Sequence, residues 1–152
     1  MLIKKFLHPE GIWVNKSRDL RDKRDILRFL ADQTAPLIDK PANFLFENLL
    51  AREALQSTSI GRGIAVPHCV LKDFSGVHGF FLKTDQPIDF ESHDHRPTHL
   101  FFCIISSDDA GTDHLRLLAR VSRILRDNDN REKLRICHDE TELMQCFTEI
   151  DR

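Results

Sequence analysis

The stretch GRGIAVPHC, residues 61–69, ends a short apolar run with a proline and a histidine. Histidine is the side chain whose ordinary pKa lies closest to neutrality, so it can serve as a base, a ligand or a nucleophile. Pro67 holds its own φ at about −65° and biases Val66 toward extended geometry. The expectation is that the chain leaves a strand at Ile64–Val66 abruptly and presents the His68 imidazole at a set angle. Gly61 and Gly63 permit positive φ or close approach of a bulky anion. GRG lacks the spacing and the Lys-Ser/Thr pair of a Walker loop, so nucleotide binding is not inferred. On these residues alone, a reactive His68 and a histidine that merely ends a strand stand level.

The chain carries eight histidines and four cysteines. His8, His78 and His138 have no local companions and read as solvated or hydrogen-bonded surface residues. His93, His95 and His99 in ESHDHRPTH have an alternation that could place two imidazoles on one strand face. The loop-like composition, the intervening Asp94 and the lack of an HExxH helix or a cysteine pair argue against a metal site, so no metal or cofactor is expected. Cys69, Cys103, Cys137 and Cys146 form no CxxC pair. Zinc ribbons and disulfide scaffolds are set aside, and cysteine in an apolar-periodic stretch behaves as a small hydrophobe. Cys69 stands out because it follows His68.

The elements that must position these groups are legible from periodicity. Residues 18–33 place Leu20, Leu27, Leu30 and Ala31 near one face, with Ser17 as the candidate N-cap. The segment TAPLIDKP should break the helix, and helical spacing resumes from Ala42 through Phe46, Leu49, Leu50 and Ala54, with Arg52 near its end. Strands are predicted at Ile64–Val66, Val77–Leu82 and Leu100–Ile105, the last apolar enough to be covered on both faces. After SSDDAG, the run TDHLRLLARVSRILRD shows a buried helical stripe, with Thr112 or Asp113 as cap and His114 in the first turn. A short helix follows over 130–136, and Asp139 with Glu142 resembles a capping box opening a last helix. Helix pairs, short buried strands and further helices predict an α/β fold, an α/β/α sandwich with a mixed central sheet flanked by helices.

The totals fit one compact domain over residues 1–152, with 41% hydrophobic and 30% charged residues. No apolar run approaches the ~20 residues of a membrane span, so membrane insertion is not expected. No secretory signal is evident at the start, and the expected compartment is the cytoplasm. A net charge of −2 provides no overall drive toward nucleic acid.

LAREALQSTSIGRGIAVPHC, followed later by DHLRLLARVSRIL, resembles the enzyme IIA domains of the bacterial phosphoenolpyruvate-dependent phosphotransferase system, fructose/mannitol class. The resemblance runs from about Lys16 to the C-terminus and is greatest to the nitrogen-regulatory member of that class. It implies that His68 matches the phosphorylated histidine, His114 the second active-site histidine and Arg52 the phosphate-proximal arginine. It further implies a phosphocarrier that accepts a phosphoryl group from an HPr-like phosphohistidine, nitrogen-type or general. That phosphocarrier would either pass the group to a IIB or hold it as a regulatory mark on protein targets. The chemistry suits these residues, because a transferring phosphoryl group is stabilised chiefly by donors aimed at its oxygens. Arg62 is a further candidate for charge at the site mouth. Two positions depart from the family pattern: Cys69 stands where glycine is common, and Asp113 where threonine is common. The alternative is a non-catalytic binding module that keeps the fold and regulates partners without phosphotransfer.

Overall fold

The computed structural model describes residues 2–151. A 3-10 turn at Ile3–Lys5 leads into β1 (Leu7–Asn15), then two helices, α1 (Lys23–Ile38) and α2 (Ala42–Leu55). Five strands follow: β2 (Ser59–Gly61), β3 (Ile64–Ala65), β4 (His68–Leu71), β5 (Val77–Ile88) and β6 (Thr98–Ser107). The helices α3 (Asp113–Arg126), α4 (Asn128–Arg135) and α5 (Glu140–Ile150) complete the chain.

The sheet runs β1-β5-β6-β3-β2, and β4 also pairs with β6. It is mixed: β1 lies parallel to β5, β5 antiparallel to β6, β3 and β4 parallel to β6, and β2 antiparallel to β3. Side chains alternate between the two faces of a strand, so β6 sends Phe101, Cys103 and Ile105 to one face and Leu100, Phe102 and Ile104 to the other. The first set meets α1 and α2 through Leu27, Leu30, Leu45 and Leu49. The second meets α3, α4 and α5 through Leu117, Val121, Leu134 and Phe147. Two apolar layers on one sheet make the α/β/α sandwich expected from the sequence. They also explain why LFFCII carries no polar alternation: every residue of it is buried.

Several boundaries differ from expectation, each for a local reason. Strand β1 is absent from the sequence reading because Pro9 and Gly11 punctuate it. It is an edge strand, where proline is tolerated, and its register against β5 shifts between Leu7 and Ile12. Asp22, not Ser17, caps α1, accepting the Asp25 N–H at 2.9 Å. Ser17 instead donates to Asn15 Oδ1 at 3.2 Å and to Asp19. The helix also runs through Pro36 to Ile38, burying Ala35 and Ile38, and stops at Asp39 in the left-handed region (φ 54°). Burial of that last turn outweighs the one backbone bond that Pro36 cannot donate.

Candidate phosphoryl-transfer site

Pro67 does not expel the chain from the sheet. Ile64 and Ala65 pair with Leu100 and Phe101, and His68 and Cys69 pair with Ile104 and Ile105 in the same register. The Ile104 N–H donates to the Pro67 carbonyl at 3.0 Å, so the ladder to β6 continues across the proline. What ends at this point is the other edge. The Val66 N–H donates to Thr58 O at 3.0 Å, and β4 beyond it pairs with β6 alone. The expected abrupt exit is therefore a loss of the outer neighbour, which leaves the ring at an open strand edge.

The Val66 carbonyl then takes up the imidazole. Nδ1 of His68 lies 2.7 Å from Val66 O. A carbonyl can only accept, so Nδ1 carries the proton and Nε2 is left with its lone pair. The strand pleat separates His68 from its neighbour: Cys69 joins the α1/α2 core, and burial pushes its thiol up to about 12. Cys69 thus packs as a small apolar side chain on the other face, and the oxidation-prone thiol that its position beside His68 suggests is not there.

His114 comes to the same place from a different element. It sits in the first turn of α3, and its Nδ1 lies 2.6 Å from the hydroxyl of Ser106, a fully buried residue near the end of β6. The two rings stand 5.4 Å apart between centroids, tilted by 57°. Because β6 feeds α3 through a short loop and β4 lies beside β6, topology alone brings together two histidines 46 residues apart in the sequence (114−68). Thr112 occupies the N-cap position without a side-chain capping bond, contrary to the expected cap. The start of a 14-residue helix beside His114 thus presents backbone N–H groups and the positive end of a dipole. Asp113 opens the helix and contributes charge of the sign that this terminus favours.

Arg52 lies in the last turn of α2, and its Nη1 donates to Gln56 O at 2.9 Å. It makes no hydrogen bond with either imidazole among the described residues, yet its charge disfavours the protonated form of His68. Burial is the larger cause of the lowered His68 pKa; the Val66 bond and Glu53 oppose it. The His114 pKa is lowered as well, by burial and then by His68. Both rings are therefore biased toward neutrality. Arg62 is not at this site. Its guanidinium donates to Arg126 O at the C-terminal end of α3, while His114 is at the N-terminal end, roughly 20 Å away along a helix of this length.

Three groups that the sequence reading missed support the site. The Val66 carbonyl and the Ser106 hydroxyl orient the two rings. Glu53 accepts the Thr58 N–H at 2.8 Å and the Thr58 hydroxyl at 2.6 Å, and pairs with Lys23 at 3.1 Å. That buried clamp fixes the turn joining α2 to β2, and with it the relation of Arg52 to β3 and β4. Its only sequence signal is adjacency to Arg52; Ser106 is hidden in a segment that reads as loop.

The His93–His95–His99 segment serves the β2–β3 hairpin through its intervening acid. Asp94 accepts the Arg62 N–H at 2.8 Å, the Ser92 hydroxyl at 2.5 Å and the Arg96 N–H at 3.0 Å, which hold its carboxyl far below the usual range. Among the described residues no three His, Cys, Asp or Glu side chains converge as a metal site.

The helix-flanked mixed sheet, with two imidazoles 5.4 Å apart at a helix start, is the frame in which known proteins compare. Residues 5–150 match the family described as phosphoenolpyruvate-dependent sugar phosphotransferase system, EIIA 2, and the chain belongs to that family. The match begins before Lys16 because β1 is part of the sheet. Among relatives, the chain is 40% identical over 139 residues to a nitrogen regulatory protein of Bradyrhizobium diazoefficiens, covering 91% of this chain and 90% of that one. Among solved structures, it is similar to the nitrogen regulatory protein IIA-Ntr of Neisseria meningitidis, with a TM-score of 0.87 and 25% identity over 95% of this chain and 98% of that one. It also shares the fold of Escherichia coli enzyme IIA mannitol, solved in complex with phosphorylated enzyme IIB mannitol, with a TM-score of 0.75 and 20% identity over 92% and 95% of the two chains. Among the described residues no helix is long and apolar enough to cross a membrane.

Proposed function

We propose that the chain, acting as one IIA domain in the cytoplasm, is a phosphocarrier whose His68 accepts a phosphoryl group through Nε2. The observation that carries this reading is the Nδ1 contact with the Val66 carbonyl, which fixes the tautomer and leaves Nε2 as the nucleophilic atom beside His114. The donor is a phosphohistidine of an HPr-like protein, general or nitrogen-type. In the step, the donor N–P bond breaks and a P–Nε2 bond forms. The donor ring, protonated at its other nitrogen, departs neutral, and phosphorylated His68 keeps its Nδ1 proton on the Val66 carbonyl. No proton has to move between the partners.

His114 and Arg52 act on the charge of the transferring group. With the Ser106 hydroxyl donating to Nδ1, His114 is left with an Nε2–H to offer a phosphoryl oxygen. Arg52 contributes positive potential from the end of α2, and the open amides of α3 add a second source. The phosphorylated ring carries about −1.5 to −2 charges, enough to change which proteins dock on that face. The kinship to nitrogen regulatory proteins favours a regulatory mark as its destination over transfer to a sugar-specific IIB. The alternative of a fixed binding module draws on Cys69 and Asp113, but one is buried on the far face and the other opens a helix with favourable sign.

The test is incubation with phosphoenolpyruvate, enzyme I and HPr. An acid-labile, base-stable label is expected on the wild-type chain and none on His68→Ala. A label that persists in His68→Ala would remove this residue from the reaction.

A further inference from the structure

A second cluster of basic groups lies at the other end of β6 and takes no part in the chemistry above. Lys83 pairs with Leu100 in the ladder and His68 with Ile104, so roughly 13 Å of strand separate the two places. A cavity of about 810 Å³ opens there, lined by Lys16, Lys83, His99, Arg135 and His138 around the apolar Ile136. Its size lies within the range of small-molecule sites.

Local structure makes the cluster. The N–H groups of His99 and Leu100 both donate to Gly63 O, at 3.0 and 3.2 Å, a bulge-like irregularity at the start of β6 that delivers His99 to the cavity wall. Lys83 has its backbone in the sheet and as a residue is just 6% exposed, with Nζ donating to Arg135 O and Cys137 O. Those carbonyls belong to the C-terminal end of α4, which would repel an anion; the ammonium covers them and retains a third N–H.

The positive groups are poorly compensated. Among the described residues the Lys16 ammonium and the rings of His99 and His138 have no hydrogen-bond or ion-pair partner. Asp85 is the acid on the wall and acts on Lys83 together with Glu142, while Glu132 binds Arg135 in an exposed pair that water already screens. Burial is the main cause of the lowered His99 pKa, and the nearby charges of Arg135, Lys83 and Arg131 lower it further.

We propose that this cavity binds a small, multiply charged oxyanion, phosphate- or carboxylate-bearing, at a site separate from the His68 centre. Arg135 and Lys16 supply charge from the rim, Lys83 a fixed donor from the floor, and Ile136 an apolar wall for the body of the ligand.

The test uses the full chain, isotope-labelled, with pyrophosphate and citrate titrated separately at low ionic strength. Saturable amide shifts are expected at residues 16, 83–85, 99 and 135–138. The ion that binds more tightly identifies the phosphate or the carboxylate source. The K16Q/R135Q double variant should weaken that binding by at least about tenfold with an unchanged thermal midpoint, whereas His68→Ala should leave the affinity unaltered. The proposal is overturned by an absence of shifts up to about 10 mM of either ion, by shifts that persist in K16Q/R135Q, by shifts confined to His68 and His114, or by binding of an oligonucleotide with neither small ion.

Discussion

A single carbonyl decides how His68 can react. An imidazole free in solution divides its proton between two nitrogens and is half protonated near pH 6.5, whereas the Val66 bond selects one tautomer and burial disfavours the cation. The midpoint of His68 titration, read from ring resonances by NMR, is therefore expected below 6.5, and phosphoryl acceptance should hold below the pH at which a free histidine loses its nucleophile. Arg52 is one cause of that depression, so Arg52→Gln should move the midpoint upward while slowing acceptance from the donor. A midpoint unchanged in Arg52→Gln would show that the guanidinium acts elsewhere. His114 offers one donor to the developing charge. Loss of one such donor costs about 10²- to 10³-fold in comparable sites, which sets the expected fall in transfer rate for His114→Ala in single-turnover measurements. Ser106→Ala tests positioning: it should lower the rate less than His114→Ala, and Ser106→Thr, which keeps the hydroxyl, should restore it.

At the scale of elements, the site depends on where strands lose their neighbours. β3 has partners on both sides; β4, the same strand continued, has one, and the His68 ring stands where the second is lost. The β2–β3 hairpin that sets this boundary turns through Gly61, Arg62 and Gly63, all with positive φ. At Gly63 (φ +83°) an added Cβ would lie 2.6 Å from His99 Cε1, so Gly63→Ala combines backbone strain with a clash. A loss of about 1–3 kcal/mol is expected, measured by denaturant unfolding, together with slower phosphorylation if the hairpin moves. This level also shows what the sequence conveys. The apolar runs of β6 and the stripe of α3 were legible because burial on one or two faces is written directly into periodicity. β1 was not, since Pro9 and Gly11 suit an edge strand and read as breakers. The exit at Pro67 was misjudged because a proline's missing N–H matters only where a neighbour needs it, and that depends on pairing with a distant strand. His68 stands out by its place after Pro67, and its grouping with His114 and Arg52 is what the resemblance implies. Ser106 and the Val66 carbonyl were not legible, because their roles exist only after β4 and β6 lie side by side.

Across the molecule, His68, His99 and His114 are half-buried imidazoles with pKa values lowered chiefly by burial. Each binds a proton less readily when folded than at its ordinary pKa of 6.5 in the unfolded chain. Between those two values the unfolded state carries more protons, so stability rises with pH across that window. The contribution is complete above pH 6.5 and is lost as pH falls through the folded-state values. Urea midpoints should therefore decline from about pH 6.5 downward, before most carboxylates are protonated. Replacing His99 by glutamine should flatten part of that decline without altering the phosphorylation profile, since His99 lies at the far end of β6. His68→Gln should flatten another part and abolish labelling. If both variants retain the wild-type slope between pH 6.5 and 5, the acid sensitivity belongs to other groups, and neutral burial of these rings does not govern the balance. The two halves of the molecule can be separated in this way because one long strand, buried on both faces, carries the neighbours of His68 at one end and the basic cavity at the other.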